Sequence, residues 1–165
     1  MMDGLSGSRD ESTPTAFDAD TISRLKRSFE KNRISLEEKA TLYRENFSAD
    51  LFISGINALT TEGKIFNLDG NGSRVAPIIY GPDKVLLVCG SNKIVSSDHE
   101  AFERIRNTAA PIDAKRLGKK TPCVKTGRCM ECKSSDKICN YYSIIQGQFN
   151  ENRIQVFVIE GEYGF

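Results

Sequence analysis

The 165 residues are 39% hydrophobic and 27% charged, enough apolar mass for one packed domain and too little length for two. Lys and Arg number 23 against 22 Asp and Glu, a balance that argues against a surface given over to nucleic acid. No apolar run reaches the roughly 18 residues of a membrane helix, so no membrane association is expected.

The opening MMDGLSGSRDESTPT has no apolar centre and does not read as a secretory signal, so the chain is expected in the cytosol. Residues 1–18 are rich in small and acidic side chains and read as a flexible tail. Residues 19–165 are expected to form a single domain. Ile22, Leu25 and Phe29 recur at helical spacing, and a second helix is predicted from Ser35. There Ser35 and Glu38 form a capping-box pair, and Leu36, Ala40, Tyr43 and Phe47 make one stripe.

Strands are predicted at 51–56 and 64–68, followed by the turn Asp69-Gly70-Asn71-Gly72 and a short helix at 73–80. The apolar run 85–89 is the clearest strand. Ser97 and Glu100 form another capping box, opening a helix whose face is Phe102, Ile105 and Ala109 and which is expected to end before Pro111. A Cys-rich loop spans 118–140. Residues 142–145 and 154–159 read as a closing antiparallel hairpin or as neighbouring strands. Alternation of this kind predicts an α/β fold with a mostly parallel sheet flanked by helices.

Four of the five cysteines, Cys123, Cys129, Cys132 and Cys139, follow the pattern C-x5-C-x2-C-x6-C. In a reducing compartment such spacing favours metal ligation over disulfides. The C-x2-C step brings two thiolates to one turn, and a tetrathiolate set suits zinc or an iron–sulfur cluster, with spacing alone leaving both open. Lys119, Lys120, Lys125, Arg128, Lys133 and Lys137 surround them and would offset thiolate charge. A reduced structural loop and a redox-active thiol pair are the competing readings. Cys89 sits in an apolar strand and reads as core. His99, the one histidine, reads as a solvated residue of a helix's first turn.

In open parallel sheets, ligands gather beyond the carboxyl ends of strands. Three such ends are rich in amides and glycines here: Asn57; Asp69, Gly70, Asn71 and Gly72 with Arg74 just beyond; and Asn92 with Lys93. Exposed backbone N–H groups and two cations would suit a small carboxylate or phosphate. The alternative is that Asp-Gly-Asn-Gly is simply a good turn.

The stretch SADLFISGINALTTEGKIFNLDGNGSRVAPIIYGPDKVLLVCGSNKIV resembles the central part of LUD-domain proteins, the family that includes lactate utilisation protein C (DUF162). NTAAPIDAKRLGKKTPCVKTGRCMECKSSDKICN and the closing RIQVFVIEGEYGF resemble its cysteine-bearing branch in anaerobic bacteria. The resemblance implies a fold like the NagB/RpiA/CoA-transferase group and a link to lactate oxidation beside iron–sulfur partner proteins. Family members usually begin with a further strand–helix–strand portion holding a Gly-Gly-Ser turn, and no such turn occurs here. An N-terminally shortened product, or a homodimer closing across the gap, is therefore expected.

Three functions compete. The first is an accessory, redox-associated subunit of 2-hydroxy-acid utilisation, binding an anion at the strand ends and a metal at the cysteines. The second is an acyl- or CoA-handling enzyme by analogy with the fold group, with Asp69 or Glu62 as carboxylate nucleophile. The third is a non-catalytic binding module using residues 113–137, where eight Lys and Arg face three Asp and Glu.

Overall fold

The computed structural model describes residues 35–165. The expected tail and the helical spacing of Ile22, Leu25 and Phe29 lie outside the described residues. The chain divides into two units, 1–40 and 41–165, and every described strand belongs to the second. Helix α1, Leu36–Glu45, opens on the expected capping box. Ser35 N–H donates to Glu38 Oε2 at 2.7 Å, and Glu38 N–H donates to Ser35 Oγ at 3.2 Å. None of its residues is buried.

The second unit is α/β. Strands β1 (Phe52–Gly55), β4 (Val85–Gly90) and β7 (Ile154–Ile159) form a parallel sheet in the order β1-β4-β7. Strands β2 (Ala58–Thr60), β3 (Ile65–Asp69), β5 (Ile94–Val95) and β6 (Tyr141–Ile145) form a second sheet in the order β5-β2-β3-β6. In it β2 and β5 run parallel, while β3 is antiparallel to both neighbours. The expected mostly parallel layer is thus a parallel sheet beside a mixed one, and the short β2 and β5 were absent from the sequence reading.

Alternation along β3 joins the layers. Ile65 packs with Ile56, Ile78, Val85, Leu87 and Cys89, a core that lines one face of the parallel sheet. Phe66 and Leu68 point the other way, against Ala58, Ala101 and Ile105. Full burial of a side chain such as Leu87 is worth about 1.5–3 kcal/mol. Cys89, 3% exposed, is core as expected, and burial pushes its thiol pKa up. Helix α2, Val75–Ile79, contributes Ile78.

Two expectations fail. The pair 142–145 and 154–159 is no hairpin: β6 pairs with β3, with Leu68 opposite Tyr142, and β7 pairs with β4, with Val88 opposite Phe157. Apolar alternation fixes which face a strand buries but names no partner. What commits β7 is Arg153, whose guanidinium donates to the carbonyls of Pro77, Ile78 and Pro82 at 2.8–3.0 Å and locks the strand's entry beside β4.

The helix opened by Ser97 also continues past Pro111. Helix α3, Asp98–Arg104, passes into a π turn, Ile105–Ala109, and then helix α4, Ala110–Arg116. The wider turn restarts hydrogen bonding, so Pro111 falls in the first turn of a new segment, where a missing N–H costs little. His99 is exposed on α3, as expected. No helix among the described residues is long and apolar enough to cross a membrane.

Candidate metal centre and the adjoining pocket

The cysteine loop is built on a short helix, α5, Pro122–Thr126, which the sequence reading did not contain. Pro122 starts it, and Gly127 at φ +72° ends it, a left-handed position that suits glycine and turns the chain toward Cys129. Cys123 Sγ lies 3.1 Å from Thr121 Oγ1, and Thr121 is 4% exposed. Cys129 N–H donates to Arg106 O at 3.1 Å, tying the C-x2-C turn to the π segment. Glu131, between Cys129 and Cys132, takes a left-handed backbone (φ 49°) and donates its N–H to Cys129 Sγ at 3.4 Å.

Two carboxylates pin the loop. Glu131 pairs with the Arg106 guanidinium. Asp136 accepts from Lys120 N–H at 2.7 Å and from Lys119 Nζ at 3.0 Å, and these donors hold its pKa below the usual carboxylate value. Downstream, Asn140 donates its backbone N–H to Asp69 O and its Nδ2 to Gly70 O, stitching the end of the loop to the Asp-Gly-Asn-Gly turn.

The outcome is a cavity of about 390 Å³ lined by all four cysteines, together with the apolar Phe102, Met130, Ile138 and Tyr142 and the charged Arg106, Glu131 and Lys137. Burial raises the Cys139 thiol pKa first of all, Lys137 opposes this, and Cys129 and Cys132 raise it further. The Tyr142 hydroxyl is raised in the same way, by burial and then by Cys139 and Cys129. The Glu131 carboxylate, and next the Cys129 sulfur, raise the Arg106 pKa. Among the described residues, no three Cys, His, Asp or Glu side chains are gathered closely enough to hold one metal ion.

The strand-end residues divide into two sets. Asp69 is the hub of the first. Its Oδ1 accepts the N–H groups of Asn71 and Gly72, and its Oδ2 those of Arg74 and Val75, at 3.1–3.3 Å. The backbone donors expected to meet an external anion therefore already hold this carboxylate, which caps α2 from upstream. Arg74 is equally occupied. Its NH1 donates to Gly55 O and Asn67 Oδ1, its NH2 to Asn57 Oδ1 and Leu68 O, and its Nε lies 3.7 Å from Asp69.

Lys93 and Asn92 form the second set. Lys93 is 7% exposed and donates Nζ to Ile56 O at 3.0 Å. Arg104 donates to Asn57 O at 2.8 Å, so three successive carbonyls, of Gly55, Ile56 and Asn57, each receive a different cation. Burial lowers the Lys93 pKa, with Arg104 beside it adding to the effect. Asn92 instead binds the final segment: its Nδ2 donates to Gly164 O and its Oδ1 accepts from Tyr163 N–H. Gly90 permits that closeness, since a Cβ there would stand 2.4 Å from Asn92 Oδ1 and 2.6 Å from Tyr163 N. Glu62 is exposed and pairs with Lys64 at 3.2 Å.

A second cavity, about 500 Å³, takes in Asn57, Asp69, Gly70, Asn71 and Arg74 of the expected residues. It is lined as well by Asp113, Arg116, Lys119 and Lys137, none of them in the expected ligand set. Ala110, Lys137 and Ile138 line both cavities, so the two share a wall. Arg106 escaped the sequence reading, and Arg116 entered it only as part of the basic stretch 113–137, because the π turn at Ile105–Ala109 interrupts the helical pattern between them. Pro111 inside a helical pattern was the available signal.

The profile of the LUD domain matches residues 14–159. The chain is also similar to a solved DUF162-family protein from Deinococcus radiodurans, at 19% identity and a TM-score of 0.37. The alignment covers 72% of this chain and 58% of that one. The chain thus spans less than two thirds of that relative's length. No curated protein matches.

Proposed function

The chain belongs to the LUD-domain family, and we propose that it serves there as a redox-associated subunit of 2-hydroxy-acid utilisation, lactate being the reference substrate. It holds a metal at Cys123, Cys129, Cys132 and Cys139 and receives a small anion in the adjoining pocket. The observation that carries this reading is that four cysteines spread over 17 residues line one cavity.

The four cysteines are a donor set that suits a metal, but among the described residues no three candidate ligands stand close enough to hold one ion, so binding would have to draw the thiols together. Lys137 lines the cavity beside the cysteines and would offset thiolate charge, while Arg106, which also lines it, is paired with Glu131. The metal would supply charge compensation or electron transfer, according to its identity. The chain's own residues do the rest. Arg116 and Lys119 line the pocket already paired with Asp113 and Asp136, so Lys137 is the cation that would draw a carboxylate in, and Asn71 offers an amide. Asp69 and Arg74 line the pocket with their polar groups already bonded to the chain's own backbone and, for Arg74, also to the Asn57 and Asn67 side chains. The four-fold engagement of Asp69 by N–H groups argues against the acyl-transfer alternative, whose nucleophile it would have been. The reading places the chain in the cytosol, where thiols stay reduced, and beside an iron–sulfur partner protein that exchanges electrons with it.

The test is metal analysis of protein purified without oxygen. Stoichiometric metal that disappears when Cys129 and Cys132 are both changed to Ser supports the reading. Metal-free protein with four freely titrating loop thiols refutes it.

A further inference from the structure

We infer that the carboxyl end of the parallel sheet binds a small oxyanion, a carboxylate or a phosphate, through Lys93 and Arg104, with residues 161–164 as a strap closed over it. The site goes beyond the function proposed above, and neither cation lines either cavity. Strands β1, β4 and β7 end at Gly55, Gly90 and Ile159, and the turns that leave them supply every part. The carbonyls of Ile56 and Asn57 follow β1, Ser91, Asn92 and Lys93 follow β4, and the strap follows β7. Open parallel sheets hold ligands beyond this end of their strands.

The charge calls for an anion. Lys93 is 7% exposed, and its ammonium donates to Ile56 O at 3.0 Å. The Arg104 guanidinium donates to the next carbonyl, Asn57 O, at 2.8 Å and to Asn92 O at 3.2 Å. Cations thus stand on the carbonyls of adjacent residues, and no Asp or Glu among the described residues forms an ion pair with either. Carbonyl dipoles carry only partial charge, so this nearly buried ammonium lacks the full countercharge that burial demands. Its pKa is lowered accordingly, by burial first and by Arg104 next. An oxyanion at Lys93 would supply the missing charge.

The strap is held so that it can be released. Among the described residues its hydrogen bonds run to the side chains of Ser91 and Asn92. Ser91 Oγ accepts from Gly161 N–H at 3.0 Å, Asn92 Oδ1 accepts from Tyr163 N–H at 3.4 Å, and Asn92 Nδ2 donates to Gly164 O at 3.1 Å. Positive-φ glycines, Gly161 at +120° and Gly164 at +70°, bracket it. Gly164 lies against the ammonium, since a Cβ there would stand 3.0 Å from Lys93 Nζ. Breaking these side-chain bonds therefore uncovers Lys93 with no strand disturbed.

The test follows backbone amide shifts by NMR in the full isotope-labelled chain as inorganic phosphate or L-lactate is added, against sodium chloride of equal ionic strength. Lys93, Gly161, Tyr163 and Gly164 should shift saturably with at least one of the two, and the lower half-saturation names the anion class. Asn92→Ala, which frees the strap, should lower that half-saturation about tenfold, the weight of the two hydrogen bonds removed. Lys93→Met should abolish the shifts, and where it does not fold, Arg104→Gln should weaken binding by about tenfold. A purely structural strap would instead loosen in Asn92→Ala with no gain in affinity. The inference is overturned by no saturable shift at these amides with either anion, by saturation confined to residues of the second cavity, or by equal half-saturation in wild type and Asn92→Ala.

Discussion

Replacing Asp69 with Asn tests whether this carboxylate is the internal anion of its turn. Each oxygen accepts two backbone N–H groups, and the side chain is 9% exposed. An amide offers one oxygen, so its NH2 must face two donors, either those of Asn71 and Gly72 or those of Arg74 and Val75. Two N–H groups left unpaired cost about 1–3 kcal/mol each, near the lower end because the turn is partly solvated. Arg74, held by burial below the usual arginine pKa, also loses the charge 3.7 Å away, worth up to ~1 kcal/mol at this exposure. The sum is about 2–4 kcal/mol. Urea unfolding, with a slope of ~1–3 kcal/mol per molar, should show a midpoint lower by about 1–2 M. A shift under ~0.3 M at unchanged slope would refute the capping role. A catalytic carboxylate would behave in the opposite way, losing turnover with stability intact.

Two further outcomes follow from the same structure. The depressed pKa of Asp136 has a definite sign: its stabilisation of the loop is fully present above the unfolded value of about 3.9 and is lost as pH falls through the lower folded value. Proteolysis of the loop with an acid-active protease should therefore accelerate on acidification below about pH 4 in wild type. Asp136→Asn should cleave readily at every pH, and identical pH profiles for the two proteins would contradict the assignment. The sheet face that carries Ile53, Leu86 and Val88 ends in Phe157 and Ile159, which are 52% and 45% exposed. We expect this face to pair two copies of the 18.4 kDa chain. Light scattering should give twice that mass for wild type and the single value for Phe157→Glu, and a wild-type monomer at high concentration would end the dimer proposal.

The sequence by itself determined the local features whose physics is short-range. The capping boxes at Ser35 and Ser97, the strand at 85–89 and the turn after Asp69 all depend on residues within a few positions of one another. The family was legible for the same reason, since its motifs are contiguous stretches. The metal proposal also began there, in the spacing of four cysteines. The tertiary structure decided what depends on partners distant in the chain. It gave β6 and β7 to different sheets through ladders spanning some 70 residues, and it carried the helix past Pro111 by a π turn. It also divided the strand-end residues, because polar side chains at the ends of buried strands satisfy the nearest backbone first. Asp69 and Arg74 closed a network around the second cavity, while the Lys93 ammonium was drawn to the Ile56 carbonyl inside the core. No local pattern announces which carbonyl a long cation will reach once the layers pack.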